Sequence, residues 1–219
     1  MGIVPKVRVY IAAEDGKLGL GVEVADKAAS LGDLLEAWEP LASDSRLEKM
    51  YAGEDGACKG CVNNCCNAAF VIPDLISFKA LCQATAGSPR EFLANHFEPV
   101  WLANGLARLK TGPCTFLNDR VCTVYPVRSL ICRFYLCSHI LGDTEELVYA
   151  IVTSGVTATI RYLEQEGLLT GRRGLTGYDR ALIELIESAG DWPGTEAFLN
   201  AETYYDIPLK HFLKETSPS

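Results

Sequence analysis

The sequence predicts an α+β chain, mainly α with short β-hairpins, built around a Cys-rich centre containing little regular structure. Three observations carry this expectation. Apolar residues recur at helical spacing on both sides of the middle of the chain, and clear period-two alternation is confined to the N-terminal end. All nine cysteines fall between Cys58 and Cys137, eight of them in local groups among turn-forming residues.

In chain order, Val7 to Ala12 and Leu20 to Val24 alternate around Glu14-Asp15-Gly16-Lys17, which reads as a β-hairpin. Asp26 to Met50 reads as helical, with Leu31, Leu34, Leu35 and Trp38 on one stripe and a break near Pro40. Gly53-Glu54-Asp55-Gly56 is a loop leading into the first cysteine group. Pro73 to Ala86 reads as a helix with proline in its first turn, and Ser88-Pro89-Arg90-Glu91 as a capping box opening a helix toward Lys110. The stretch Cys114 to Cys122 has two short extended pieces around Asn118-Asp119, a tight hairpin with a cysteine on each arm. Asp143 with Glu146 opens a long helix reaching about Leu169, and Tyr178 to Ala189 is amphipathic before an aromatic C-terminal segment. The expected organisation is residues 1–52 as N-terminal hairpin and helix, 53–142 as the cysteine-cluster region and 143–219 as a helical region, packed as one body.

Composition narrows the functional classes. With 219 residues, 48% of them hydrophobic and 22% charged, the chain is long enough to fold around a core without cross-links. Net charge is −8 and no run of Lys or Arg occurs, so neither nucleic acid nor a membrane surface is an expected partner. The apolar stretch Glu146 to Ile160 contains Thr153, Ser154, Thr157 and Thr159 and falls short of the roughly 20 apolar residues that span a bilayer. Met1 to Tyr10 carries Lys6 and Arg8 in a strand-like pattern with no apolar h-region, so a cytoplasmic location is expected. Thiols there stay reduced, and clustered cysteines more often hold metal than form disulfides.

The first group is Cys58-Lys-Gly-Cys61-Val-Asn-Asn-Cys65-Cys66; the second is Cys114 and Cys122, the third Cys132 and Cys137. A two-residue gap containing Gly60 lets both sulfurs of a turn point at one ion. Cysteine suits the task because thiolate is soft and is deprotonated by such metals near neutral pH. Four thiolates complete one zinc tetrahedron or one iron–sulfur cluster, so eight suffice for two sites, or for one with spares. Adjacent Cys65 and Cys66 point in different directions, so one serves the main site and the other a second site or its surroundings. Eight cysteines supply more sulfur than one structural zinc needs, which favours a [4Fe–4S] cluster with a redox or protein partner. A structural zinc-binding interaction module is the alternative. No catalytic Cys/His/Asp set is legible. Cys82 sits in an apolar helical pattern and reads as core. His96 lies in the Ser88 helix and His211 near the end; His139 alone is placed to reach the cluster, as a solvated residue or a hydrogen-bonding neighbour of a ligand. Arg128 and Arg133 flank Cys132, either offsetting thiolate charge or forming surface ion pairs.

This pattern resembles the YkgJ-type cysteine cluster family of zinc- or iron-chelating domains, whose hallmark is a CxxC followed closely by a CC pair. Cys58, Cys61, Cys65 and Cys66 match the hallmark, and Cys114-Thr-Phe116-Leu117, Cys122, Tyr125, Arg128 and Cys132-Arg133 resemble the second block. The gap before the CC pair is three residues instead of two, and Ser129 stands where the family has proline after arginine. The resemblance implies metal chelation. A similar domain in flagellin lysine N-methylases, whose cysteines resemble iron–sulfur ligands, adds an S-adenosylmethionine-dependent protein lysine methylase as a further alternative. Against that alternative, Gly19-Leu-Gly21 opens no glycine-rich loop before a helix.

Overall fold

The computed structural model describes residues 5–14, 16–44, 46, 65–85, 87–136, 138–169 and 176–213. The Gly53–Gly56 loop and Cys58, Cys61 and Cys137 lie outside these residues. The α+β expectation holds: the described residues form eight α-helices and five short strands. None of those helices is long and apolar enough to cross a membrane.

β1 (Val7–Glu14) and β2 (Lys17–Val24) pair antiparallel over their full length, from Val7 opposite Val24 to Glu14 opposite Lys17, around Gly16 at φ 75°. The other edge of β2 takes a strand the sequence did not announce. β5 (His139–Ile140) runs parallel to it, with Gly19 opposite His139 and Leu20 opposite Ile140. A Cβ at Gly19 would stand 2.3 Å from Leu141 Cδ2, and one at Gly21 2.3 Å from Tyr10 Cζ, so both glycines serve close packing.

α1 (Leu31–Trp38) starts later than the apolar pattern from Asp26 implied, because Ser30 caps it. Ser30 Oγ accepts the Asp33 N–H at 3.2 Å and the Asp33 carboxylate accepts the Ser30 N–H at 2.8 Å. Asp26 instead closes a local turn, its carboxylate accepting the Ala28 N–H at 2.8 Å. The helix passes into a 3-10 turn, Glu39–Ser43, that contains Pro40.

α2 (Leu75–Thr85) begins after Pro73, with Asp74 at its N-terminal end. α3 (Pro89–His96) is capped by Ser88 as expected but ends at Phe97, far short of Lys110. Pro99 disfavours helical backbone at Glu98 and starts a separate short helix, α4 (Pro99–Ala103). β3 (Leu117–Asn118) and β4 (Val121–Cys122) form the second hairpin, turning on Asp119 and Arg120, both at positive φ. α5 (Leu130–Phe134) follows, then α6 (Asp143–Gln165), α7 (Gly177–Ser188) capped by Thr176, and α8 (Pro193–Asn200), which the sequence reading left within the aromatic C-terminal segment.

The 23-residue α6 contributes to two buried clusters. Leu147, Ile151 and Ala158 pack with Leu34 and Trp38 of α1 and Phe198 of α8. Ile160 and Leu163 pack with Phe78, Phe92 and Phe97, whose rings meet edge to face.

Between these clusters sits Asp74, 1% exposed. Its Oδ1 accepts the Ser77 N–H at 3.1 Å and the Tyr204 hydroxyl at 2.9 Å. Its Oδ2 accepts the Ser77 hydroxyl at 2.6 Å and the Leu130 N–H at 2.9 Å. One carboxylate thus caps α2, pins the start of α5 and fastens the C-terminal segment. Gly155 of α6 makes room for it: a Cβ there would lie 2.7 Å from Asp74 Cβ and 3.1 Å from Phe198 Cζ.

Two predictions follow from this packing, both read by urea unfolding. Asp74→Ala strands buried donors on three elements and lowers stability by about 3 kcal/mol or more; a loss under about 1 kcal/mol would show that the carboxylate is dispensable. Gly155→Ala gains about 1 kcal/mol of helix propensity but overpacks against a side chain held by four hydrogen bonds, so the net is a loss of about 1–3 kcal/mol. A stabilised variant would contradict the tight approach of α6 to Asp74.

Candidate metal centre

Five of the eight candidate cysteines are described, and the fold brings all five to one pocket: Cys65, Cys66, Cys114, Cys122 and Cys132 line it together. Cys65 and Cys66 ride on a 3-10 turn, Cys65–Asn67, closed by the Ala68 and Ala69 N–H groups donating to the Cys65 carbonyl at 3.2 and 3.0 Å. The Cys66 carbonyl accepts the Cys114 N–H at 2.8 Å, which clasps the first group to the second. The expected hairpin forms, but it turns one residue later than Asn118-Asp119. Its arms are correspondingly short: Cys122 lies on β4, while Cys114 precedes β3 in a turn where its carbonyl accepts the Leu117 N–H at 2.9 Å. Cys132 is on α5, two residues beyond the Leu130 amide that Asp74 holds.

The cavity among these sulfurs measures about 80 Å³, several times the space one water requires. Apolar side chains form most of its wall, including Val71, Leu81, Leu109, Phe116 and Val124, and the charged side chains that reach it are Arg120 and Arg128. Among the described residues, no three Cys, His, Asp or Glu donors converge closely enough to hold a single ion.

The thiols constrain one another's ionisation. The Cys66 S–H donates to Cys65, holding Cys65 at about 7 and driving Cys66 far above the usual thiol range. Burial pushes Cys132 up to about 12, with repulsion from Cys114, Cys65 and Cys122 adding to it and Arg128 opposing it. Burial raises Cys114 and Cys122 as well, opposed in each by an amide N–H two residues on, from Phe116 and from Val124, donated to the sulfur. Such a set accumulates several negative charges only with a cation among them. Softness, number, shared pocket and amide donors aimed at sulfur all fit a thiolate-bound metal centre.

The remaining sequence expectations divide. Cys82 is core: 5% exposed and packed with the aromatic cluster. His139 is an exposed residue of β5 and does not line the pocket, in keeping with a solvated role. His96 Nδ1 lies 3.0 Å from Thr115 Oγ1, flanked by Phe92 and Phe116, and His211 belongs to a separate cavity beside β2 and α6. Arg128 and Arg133 part company. Arg128 faces the thiols, whereas Arg133 donates to the Pro126 and Arg128 carbonyls and to Glu39. Sequence reading missed Arg120, the sulfur-directed amides and Glu39. The left-handed backbone at Arg120 is a turn signal that places it at the rim, but nothing local marks Glu39, which meets Arg128 from 89 positions away.

Residues 57–151 match the family model CxxCxxCC, described as "Putative zinc- or iron-chelating domain". Neither a curated protein nor a solved structure matches the chain. The matched stretch contains every candidate ligand from Cys58 to Cys137 and leaves out β1, β2, α1, α7 and α8. Metal binding is therefore supported both by the family and by the gathering of thiols. Over residues 57–151, less than half of its length, the chain is similar to the CxxCxxCC zinc- or iron-chelating domain.

Proposed function

We propose that this protein holds a [4Fe–4S] cluster on its cysteine thiolates and exchanges electrons through it with a protein partner. The observation that carries this reading is the convergence of five cysteines, from three stretches remote in sequence, on one largely apolar cavity of about 80 Å³. Cys58, Cys61 and Cys137 complete the ligand pool proposed with Cys65, Cys66, Cys114, Cys122 and Cys132. A lone zinc draws four donors to about 2.3 Å from one point. A cluster instead spreads its thiolates around a larger inorganic core, which suits sulfurs standing around open space.

Hydrogen bonds to sulfur and partial solvent access set the potential of such clusters. The amides of Phe116 and Val124 supply the first, and Cys65, exposed at the surface, supplies the second. That exposed edge is the route by which a partner would reach the cluster. Gly19 and Gly21 are strand residues closed over by Leu141 and Tyr10, so they lend no support to S-adenosylmethionine binding.

Purification without oxygen should yield brown protein with about four iron and four sulfide per chain. Colourless protein with stoichiometric zinc and no sulfide would replace the cluster reading with a structural zinc module, and protein that takes up neither metal would end both. Cys132→Ser and Cys114→Ser should each cut metal content or weaken binding by about tenfold or more, the scale of losing one thiolate ligand, while Cys82→Ala leaves metal content unchanged. Equal losses in all three variants would mean that core disruption, not ligation, is being measured. Because the metal-free thiols are largely protonated below their raised pKa values, metal uptake releases protons and acid competes with it. Apparent affinity for zinc should therefore fall as pH drops from about 8 to about 6, and a flat profile would show that the ligands are not thiols.

A further inference from the structure

Glu39 stands just after α1, outside residues 57–151, yet it is fastened to the cysteine site. Its Oε2 accepts Arg128 Nη2 at 3.3 Å and its Oε1 accepts Arg133 Nη1. Arg128 is 7% exposed; its Nη1 donates to the Tyr125 carbonyl at 3.0 Å and its guanidinium lies 3.7 Å from the Tyr125 ring centroid. A planar fork held by a carboxylate, a carbonyl and a ring face has one orientation. In that orientation Arg128 lines the pocket with Cys122 and Cys132. Arg133 returns from Glu39 to the Arg128 carbonyl at 3.0 Å, so the same carboxylate also braces the backbone that carries Arg128.

We infer that Glu39 is a positioning residue for the metal centre, holding the Arg128 guanidinium at the pocket rim beside the thiolates, so that a segment outside the family domain sets how strongly that domain holds its metal. The inference rests on the thiolate-chelation reading above. A thiolate-bound metal centre carries net negative charge, so a cation fixed at the pocket wall favours the loaded form. An untethered arginine would exchange this pocket for water and contribute little.

The test uses the full chain freed of metal, titrated with Co²⁺ while the thiolate-to-cobalt absorption is followed, with Zn²⁺ affinity from competition against a chromophoric chelator. Arg128→Gln should weaken binding of both ions by about tenfold or more, the scale expected for one charge at close range in a partly buried site. Glu39→Ala should weaken it by about threefold to tenfold, and the double variant should be no weaker than Arg128→Gln, because Glu39 acts through Arg128. Arg128→Lys should recover part of the loss, a rescue that follows charge and that a purely structural role would not give. Circular dichroism identifies any variant that fails to fold; if Arg128→Gln does, Arg128→Lys and Glu39→Ala decide the matter. Wild-type affinity in Glu39→Ala, or losses that add in the double variant, would overturn the inference alone. A wild-type chain that binds neither ion would overturn the chelation reading and this inference with it.

Discussion

A single buried carboxylate organises the ground on which the thiols stand. Asp74 accepts four hydrogen bonds, two at each oxygen, from Ser77, Leu130 and Tyr204, and each donor belongs to a different element or cap. A buried carboxylate in such a network has no cheaper arrangement nearby, because any shift leaves a donor or an oxygen unmatched in low dielectric. Burial and the Asp74 charge keep the Tyr204 phenol protonated, hence available as a donor. Through Leu130 the network fixes where α5 begins, and through α5 it fixes Cys132. The position of one sulfur in the pocket is thus decided by a residue 56 positions before the Leu130 amide that it holds.

Charge balance is the second constraint, and magnitudes decide how it is met. Two unit charges about 4 Å apart repel by about 4 kcal/mol at an effective dielectric of about 20, and a set of thiolates sums several such pairs. Each of the two arginines lining the pocket, Arg120 and Arg128, offsets only a fraction of that sum. Amide donors at Cys114 and Cys122 offset a little more, since they are dipoles and not charges. Without a cation the buried thiols stay protonated; in the metal centre proposed above, a multivalent cation would supply the bulk of the compensation. Arg128 and the amides then act as adjustments on a balance that the metal dominates.

Much of this was legible from residues alone, where the signal is local. The hairpin of β1 and β2 announces itself by alternation around a glycine turn, and Ser88 with Glu91 marks the start of α3 by side-chain chemistry that needs no tertiary context. Cysteine spacing was enough to name the five thiols that share the pocket. Reading failed where the deciding partner is distant. β5 is two residues whose strand character comes entirely from pairing with β2, whereas the start of α1 was missed although its Ser30–Asp33 cap is local. Asp74 sits beside Pro73 with the look of an ordinary helix cap; its ties to Leu130 and Tyr204 have no trace in the local pattern. The same holds for Glu39, whose two arginines flank Cys132, far along the chain.

The parallel pairing of β5 with β2 bears on the order in which this protein is assembled on the ribosome. A two-stranded ribbon is marginal in water by itself, so β1 and β2, although they emerge first, gain their third strand only when residues 139–140 have left the exit tunnel. Every cysteine lies between β2 and β5 in sequence, so all of them are already synthesised when that sheet closes. Closure of the N-terminal sheet is then a late, long-range event of the kind that slows folding, and it coincides with the first moment at which the complete set of thiols is present together. Uptake of metal by the full set of thiols, as proposed above, would therefore share a window with sheet completion during biosynthesis.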